Sequence, residues 1–178
     1  MQERSTFYKV FLFWELTGMI MKNKEDLAIL LLDFKKAYDI VDWDFIQGLF
    51  SKLVFPVQWI RVVALLYREA FSSVLVAGGQ TRNFSILRSI HQGCPLVPLL
   101  FLLVMKTFSM YLKSSQVSLK SLSLPAMQQQ MLDSKFAYDA TIYVQGNDEN
   151  LSKLQEAVEE FCLASRAKIN WHKSHGFW

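Results

Sequence analysis

Residues 135–144 read KFAYDATIYV, two short apolar runs interrupted by Tyr138 and Asp139. Their brevity and the Thr, Ile, Tyr and Val of the second run are the marks of paired strands, with the interruption at a tight turn. An aspartate at such a turn serves structure when its carboxylate caps nearby backbone N–H groups. It serves chemistry when a second carboxylate from elsewhere in the chain reaches the same edge of the sheet.

A second carboxylate of that kind stands in DLAILLLDF, residues 26–34. The run from Leu27 to Leu32 is continuously apolar, the pattern of a strand covered on both faces, and Asp33 closes it. A carboxylate ending a central strand is costly unless something cationic meets it. Asp33 and Asp139 brought to one sheet edge would supply the hard oxygen ligands that Mg²⁺ takes, leaving the rest of its coordination shell to water and phosphate.

The segments between these two points alternate in period. KKAYDIVDWDFIQGLFSKL predicts a helix from Phe45 to Leu53, with Asp44 as its cap and Phe45, Leu49 and Phe50 on one face, stopped near Pro56. VQWIRVVALLYREAF then predicts a second helix, the proline suiting its first turn. SSVLVAGGQTRNFSIL reads as a hairpin around Gly78 and Gly79. RSIHQGCPLVPLL is a polar loop leading into an apolar helix from Leu99 to Ser114. KSSQVSLKSLSLPAMQQQ is a connection with one short strand. QGNDEN offers N-cap candidates for a helix on which Leu151, Leu154, Val158 and Phe161 recur. AKINWHKSHGFW predicts a closing strand carrying Lys168 and Lys173. The fold class is α+β, with helices packed on a mostly antiparallel sheet.

Composition narrows the function classes. A chain of 178 residues with 52% hydrophobic, 14% aromatic and 20% charged residues is a single folded domain, not a disordered segment. A formal charge of +3 permits a nucleic-acid partner without requiring one. Two cysteines make no disulfide framework and point to a reducing, intracellular setting in cytoplasm or nucleus. Glu3, Lys9 and Glu15 break up a signal-peptide core at the N-terminus, which reads as an amphipathic helix. PLVPLLFLLVM, residues 95–105, falls well short of a bilayer span, so no membrane association is expected.

Several residues have ordinary explanations. Asp39, Asp42 and Asp44 suit turns and caps, and Lys35 and Lys36 a solvated surface. Cys162, His172 and His175 lack a fourth zinc ligand and any recognised spacing. Cys94 fits a small buried position, and Trp43, Trp59 and Trp171 fit core or interface.

Four blocks taken together resemble the palm of a reverse transcriptase. LLLDFKKAYDIVDW (30–43) is similar to its first catalytic motif, RSIHQGCPLVPLLF (88–101) to its nucleotide-binding turn and helix, FAYDATIYV to its aspartate hairpin, and FCLASRAKINWHKSHGF (161–177) to its fourth motif. The pattern resembles LINE-type, non-LTR retrotransposons, whose blocks read DF-x-KAYD-x-VDW, RQGCPLSP and FADD. The resemblance implies a palm of residues 27–178 with motifs at 30–43, 88–101, 135–144 and 161–177, a residual fingers-side helix over 1–26, and no thumb.

By the same resemblance Asp33 and Asp139 are metal ligands for two Mg²⁺ (or Mn²⁺) ions, and Phe34 lends its backbone carbonyl. Tyr38 lies under the sugar and excludes a 2′-hydroxyl, Gln92 and Gly93 contact the incoming nucleotide and template, and Lys173 protonates pyrophosphate. The implied partners are an RNA template, a DNA primer, dNTP and other parts of an element-encoded polyprotein. The reaction implied is two-metal phosphoryl transfer.

The hairpin departs from the family at one position. Tyr138 stands where the first of two aspartates belongs, and a phenol, protonated near neutral pH, is a poor Mg²⁺ ligand. Ser89, His91 and Val97 are smaller departures in the second block. The expected outcome is a polymerase with lost or impaired activity. The alternatives are a non-catalytic nucleic-acid-binding remnant and a purely structural domain.

Overall fold

The computed structural model describes Trp14, Gly18 and residues 26–35, 42–68, 71–85, 96–120, 122–123, 130–131, 133–136 and 139–177. At Arg68, residues 122–123, 130–131, 133–136 and Asp139 the description is of the backbone alone. Trp14 and Gly18 are helical, and the rest of the expected N-terminal helix lies outside the described residues.

The elements follow in the order β1 (Leu27–Asp33), α1 (Trp43–Lys52), α2 (Val57–Arg68), β2 (Phe71–Ser72), β3 (Leu75–Val76), β4 (Gly79–Gln80), β5 (Phe84–Ser85), α3 (Leu96–Leu112), β6 (Leu122–Ser123), β7 (Gln130–Met131), β8 (Asp133–Phe136), β9 (Asp139–Gln145), α4 (Asp148–Ser165) and β10 (His175–Phe177). Among the described residues β10, β1, β9 and β8 form one sheet in that order, every pair antiparallel. β2 pairs with β5 and β3 with β4, a nested hairpin whose turn places Gly78 at a φ of 111°, accessible to a residue without Cβ. β6 pairs with β7 as a separate short hairpin.

One face of the sheet makes the core. Ala28, Leu32 and Phe34 of the β1 segment and Ala140, Ile142 and Val144 of β9 are buried together with the apolar faces of α1, α3 and α4. The Phe34 ring meets Phe101 and Phe108 of α3 edge-on, at centroid distances of 6.5 and 5.9 Å. Phe108 in turn lies 4.6 Å from Phe161 of α4, which takes Phe45 of α1 at 5.8 Å. This aromatic chain ties three helices to the end of β1, just beyond the first candidate ligand.

Four local expectations need correction. Helix α1 is capped by Asp42, whose side chain accepts from Asp44 N at 2.8 Å, while Asp44 lies in the first turn, where its charge meets the positive helix end. Helix α3 runs from Leu96 to Leu112, starting earlier than Leu99, because the Leu-Val-Pro-Leu stretch tolerates proline in a first turn. Strand β1 is not covered on both faces throughout: Leu31 remains 39% exposed. Lys173 lies in a turn, not a strand, since pairing resumes only at His175.

Entry into α4 lies by the start of β1 and exit from it leads to the end of β1. Asn147 caps the helix through its side chain, accepting from Asn150 N at 2.8 Å. Asn150 is buried and fully engaged, accepting from Lys120 N and donating to the carbonyls of Lys120 and Gln145. The exit is a left-handed residue, Arg166 at φ 60° and ψ 7°, which turns the chain back across the end of β1. Phe34 then bridges Ile169 antiparallel.

Candidate active site

Alternation along β1 decides where Asp33 faces. Leu32 and Phe34 are buried on the core side, so Asp33 belongs to the opposite face and is half-buried there. Its backbone N–H donates to Ser174 Oγ at 3.1 Å and its C=O accepts from Asn170 N at 2.8 Å. Both groups are therefore spent on the C-terminal side, away from β9.

The register sets Asp33 opposite Asp139 as the last pair of β1 and β9. Because Asp33 sends its backbone bonds the other way, the two face each other as a non-hydrogen-bonded pair, the closer kind, with Cα atoms about 4.5 Å apart. Directly opposed residues share a sheet face. Asp139 is also the partner of Phe136 across β8 and β9, and it opens β9. The last residue pair of β1 and β9 is thus two aspartates, brought together from positions remote in sequence.

Phe34 has two roles open to it. Its ring anchors the core, while the bridge to Ile169 is made by Lys35 N to Lys168 O (2.8 Å) and Asn170 N to Asp33 O (2.8 Å). Those bonds leave the Phe34 carbonyl directed toward the β9 side, by the alternation of carbonyls along a strand.

The carboxylate of Asp33 has a partner that sequence reasoning does not find: Asn170 Nδ2 donates to Asp33 Oδ2 at 2.9 Å. Ser174 escapes it too; its hydroxyl donates to Asn170 O at 3.0 Å while accepting from Asp33 N. The signal in the sequence is an asparagine, a poor strand former, inside a segment that otherwise reads as a strand. Lys173 lies between these two residues, exposed, with its backbone N–H donating to Asn170 O at 3.0 Å. The geometry therefore gathers Asp33, Asp139, Phe34 and Lys173 at one end of the sheet.

Tyr38, Gln92, Gly93 and Tyr138 lie outside the described residues, as do Asp39, Ser89, His91 and Cys94. Among the described residues no three His, Cys, Asp or Glu side chains converge to hold a metal ion. Burial pushes the Cys162 thiol up from its ordinary range, which makes it a poor nucleophile. No helix among the described residues is long and apolar enough to cross a membrane.

An antiparallel sheet whose central strands end in a pair of opposed aspartates, with helices backing one face, defines a palm of the polymerase kind. The chain belongs to the reverse transcriptase (RNA-dependent DNA polymerase) family, whose model matches residues 2–178. It is 31% identical over 173 residues to the "Transposon TX1 uncharacterized 149 kDa protein" of Xenopus laevis, covering 97% of this chain and 13% of that protein. The LINE-type retrotransposon affinity read from the motif blocks thus holds.

Solved telomerases share the fold. Apo telomerase from Candida tropicalis, truncated from its C-terminal domain, superposes with a TM-score of 0.63 at 16% identity, over 98% of this chain and 35% of that one. Telomerase from Candida albicans in complex with a TWJ fragment of telomeric RNA gives 0.64 at 13%, over 98% and 30%. The corresponding Candida tropicalis complex gives 0.67 at 15%, over 98% and 29%. The chain spans about a third of the telomerases and about an eighth of the transposon protein.

Proposed function

We propose that this chain is a palm-centred reverse transcriptase domain, one unit over residues 1–178 with 1–26 on the fingers side, whose nucleotidyl-transfer site is impaired at Tyr138. The observation that carries this reading is the direct opposition of Asp33 and Asp139 across β1 and β9. Two carboxylates and the Phe34 carbonyl are hard oxygen donors, the set that suits Mg²⁺ or Mn²⁺. Bound there, two such ions would activate a primer 3′-hydroxyl and stabilise the leaving pyrophosphate.

The remaining roles fall to residues of this chain. Asp33 and Asp139 hold the cations, Tyr38 supports the sugar and disfavours a 2′-hydroxyl, and Gln92 with Gly93 orients the incoming dNTP against the template. Lys173, tethered through its backbone beside Asp33, delivers a proton to pyrophosphate. The partners are an RNA template and DNA primer inside the cell, in cytoplasm or nucleus, together with other parts of the element-encoded polyprotein.

Tyr138 removes one anionic ligand from this set. A phenol stays neutral near pH 7, so the cation charge goes uncompensated by one carboxylate, and loss of an electrostatic contact of this kind costs about a hundredfold or more in rate. The same residue favours a second reading, a nucleic-acid-binding remnant without turnover.

Primer extension on an RNA template with Mg²⁺ or Mn²⁺ separates these readings. Tyr138→Asp should restore synthesis, and Tyr138→Asp/Asp33→Ala should abolish it. Salt-sensitive duplex binding without synthesis in any variant would favour the remnant. Folded protein with neither property would leave a purely structural domain.

A further inference from the structure

We propose that Asn170 is a positioning residue for Asp33, its side-chain amide fixing the rotation of the carboxylate that takes up the divalent cation. The inference rests on the reading of Asp33 as a metal ligand and names a residue that acts on it from the C-terminal segment.

The two residues are joined twice. Asn170 N donates to Asp33 O at 2.8 Å, and Asn170 Nδ2 donates to Asp33 Oδ2 at 2.9 Å. A carboxylate only accepts, so the amide nitrogen, not its oxygen, faces Asp33. Because the backbone bond ties the Cα positions of the pair, the side-chain bond has little slack. It acts chiefly on the one freedom left to Asp33, rotation of its carboxylate.

The amide's own base is immobilised. Asn170 O accepts from Lys173 N, Ser174 N and Ser174 Oγ, each at 3.0 Å. Ser174 Oγ also takes the N–H of Asp33 at 3.1 Å. Removing the Asn170 side chain leaves all of these bonds in place, so its contribution can be separated from that of the surrounding turn.

The chemistry of an amide suits this task. A neutral donor orients the carboxylate without cancelling the negative charge that attracts a cation, whereas lysine or arginine at this position would compete with the metal. Groups that hydrogen-bond a ligating carboxylate typically change metal affinity by about ten- to a hundredfold when removed. The effect matters most where ligands are few, as they are with Tyr138 in the neighbouring hairpin.

The test measures Mn²⁺ binding to the full chain by electron paramagnetic resonance of the free ion, with thermal melting recorded on the same samples. Asp33→Ala should lose the site. Asn170→Ala should weaken Mn²⁺ binding about tenfold or more while its melting temperature stays close to that of the parent. Ser174→Ala, which removes a backbone partner of Asp33 but keeps the amide, should lower the melting temperature without a comparable change in affinity.

Unchanged Mn²⁺ affinity in Asn170→Ala, with binding abolished by Asp33→Ala, would overturn the positioning role and leave the metal site standing. Equal weakening by Ser174→Ala and Asn170→Ala would reduce the contact to general structural support and overturn it as well. Binding indifferent to Asp33→Ala would remove the metal reading, and this inference with it. Should Asn170→Ala fail to fold, Asn170→Ser keeps a polar side chain for the turn but stops short of Asp33 Oδ2. Parent-like affinity in that folded variant would count equally against the proposal.

Discussion

Asp33 stands directly opposite Asp139 at the end of β1 and β9, the backbone bonds of Asp33 turned toward Ser174 and Asn170 instead. Two like charges in a close antiparallel pair repel, by roughly 0.2–1 kcal/mol where solvent reaches them. Asp139→Asn should therefore raise the melting temperature of the metal-free protein at low ionic strength, and the gain should shrink in about 0.5 M salt as screening removes the repulsion. Added Mg²⁺ should stabilise the parent more than the variant, since only the parent presents both carboxylates. Thermal melts at two salt concentrations, with and without Mg²⁺, measure all three effects.

Arg166 carries a left-handed backbone, φ 60°, at the exit from α4. A residue with a Cβ pays about 1–2 kcal/mol in that conformation, and glycine does not. Arg166→Gly should stabilise the fold by about 0.5–1 kcal/mol, after allowing for the greater freedom glycine has when unfolded. Urea unfolding should show a higher midpoint with an unchanged slope.

Gly146 follows β9 and packs against the start of β1, its N–H donating to Asp26 O at 2.8 Å. A Cβ there would meet Leu27 C at 3.1 Å, Asp26 C at 3.2 Å and Ala28 N at 3.3 Å. All three neighbours are backbone, which cannot rotate aside as a side chain would. Gly146→Ala should cost about 1–3 kcal/mol by forcing the two strands apart, seen as a lower denaturant midpoint.

Tyr111 of α3 donates its phenol to Glu160 of α4, and this bond, with some burial and the Glu160 charge, pushes its pKa up to about 12 from 10.0. The folded protein keeps the proton longer than the unfolded chain does. The stability contributed is full below pH 10 and lost as pH rises toward about 12. Tyr111→Phe should lose under about 1 kcal/mol at neutral pH, because the contact is open to solvent, and should flatten the fall in stability over that alkaline window. Denaturant titrations across that window compare the two slopes.

Of the candidate site, the two paired aspartates are legible in the residues themselves. The apolar run into Asp33 and the turn at Asp139 are local patterns, and locality is what strand and turn chemistry expresses. The caps are less legible: Asp42 and Asp44 are equally good cap residues by type, and backbone geometry selects Asp42. The closing segment is misleading, because Lys168 to Trp171 alternate as a strand would. Asn170 and Ser174 instead spend their polar groups on Asp33 and fold the intervening residues into a turn.

By itself the sequence determined most of the element types, the family blocks and the replacement of a carboxylate by Tyr138, all of which are matters of residue identity and short-range period. Tertiary structure alone decided the register that opposes Asp33 to Asp139, because a slip of one residue would send one of them to the core face. It also decided the Asn170–Asp33 contact across 137 positions, made where the chain after α4 pairs with the end of β1. A hydrogen bond of that separation has no periodic signature; it depends on where packed elements bring the chain.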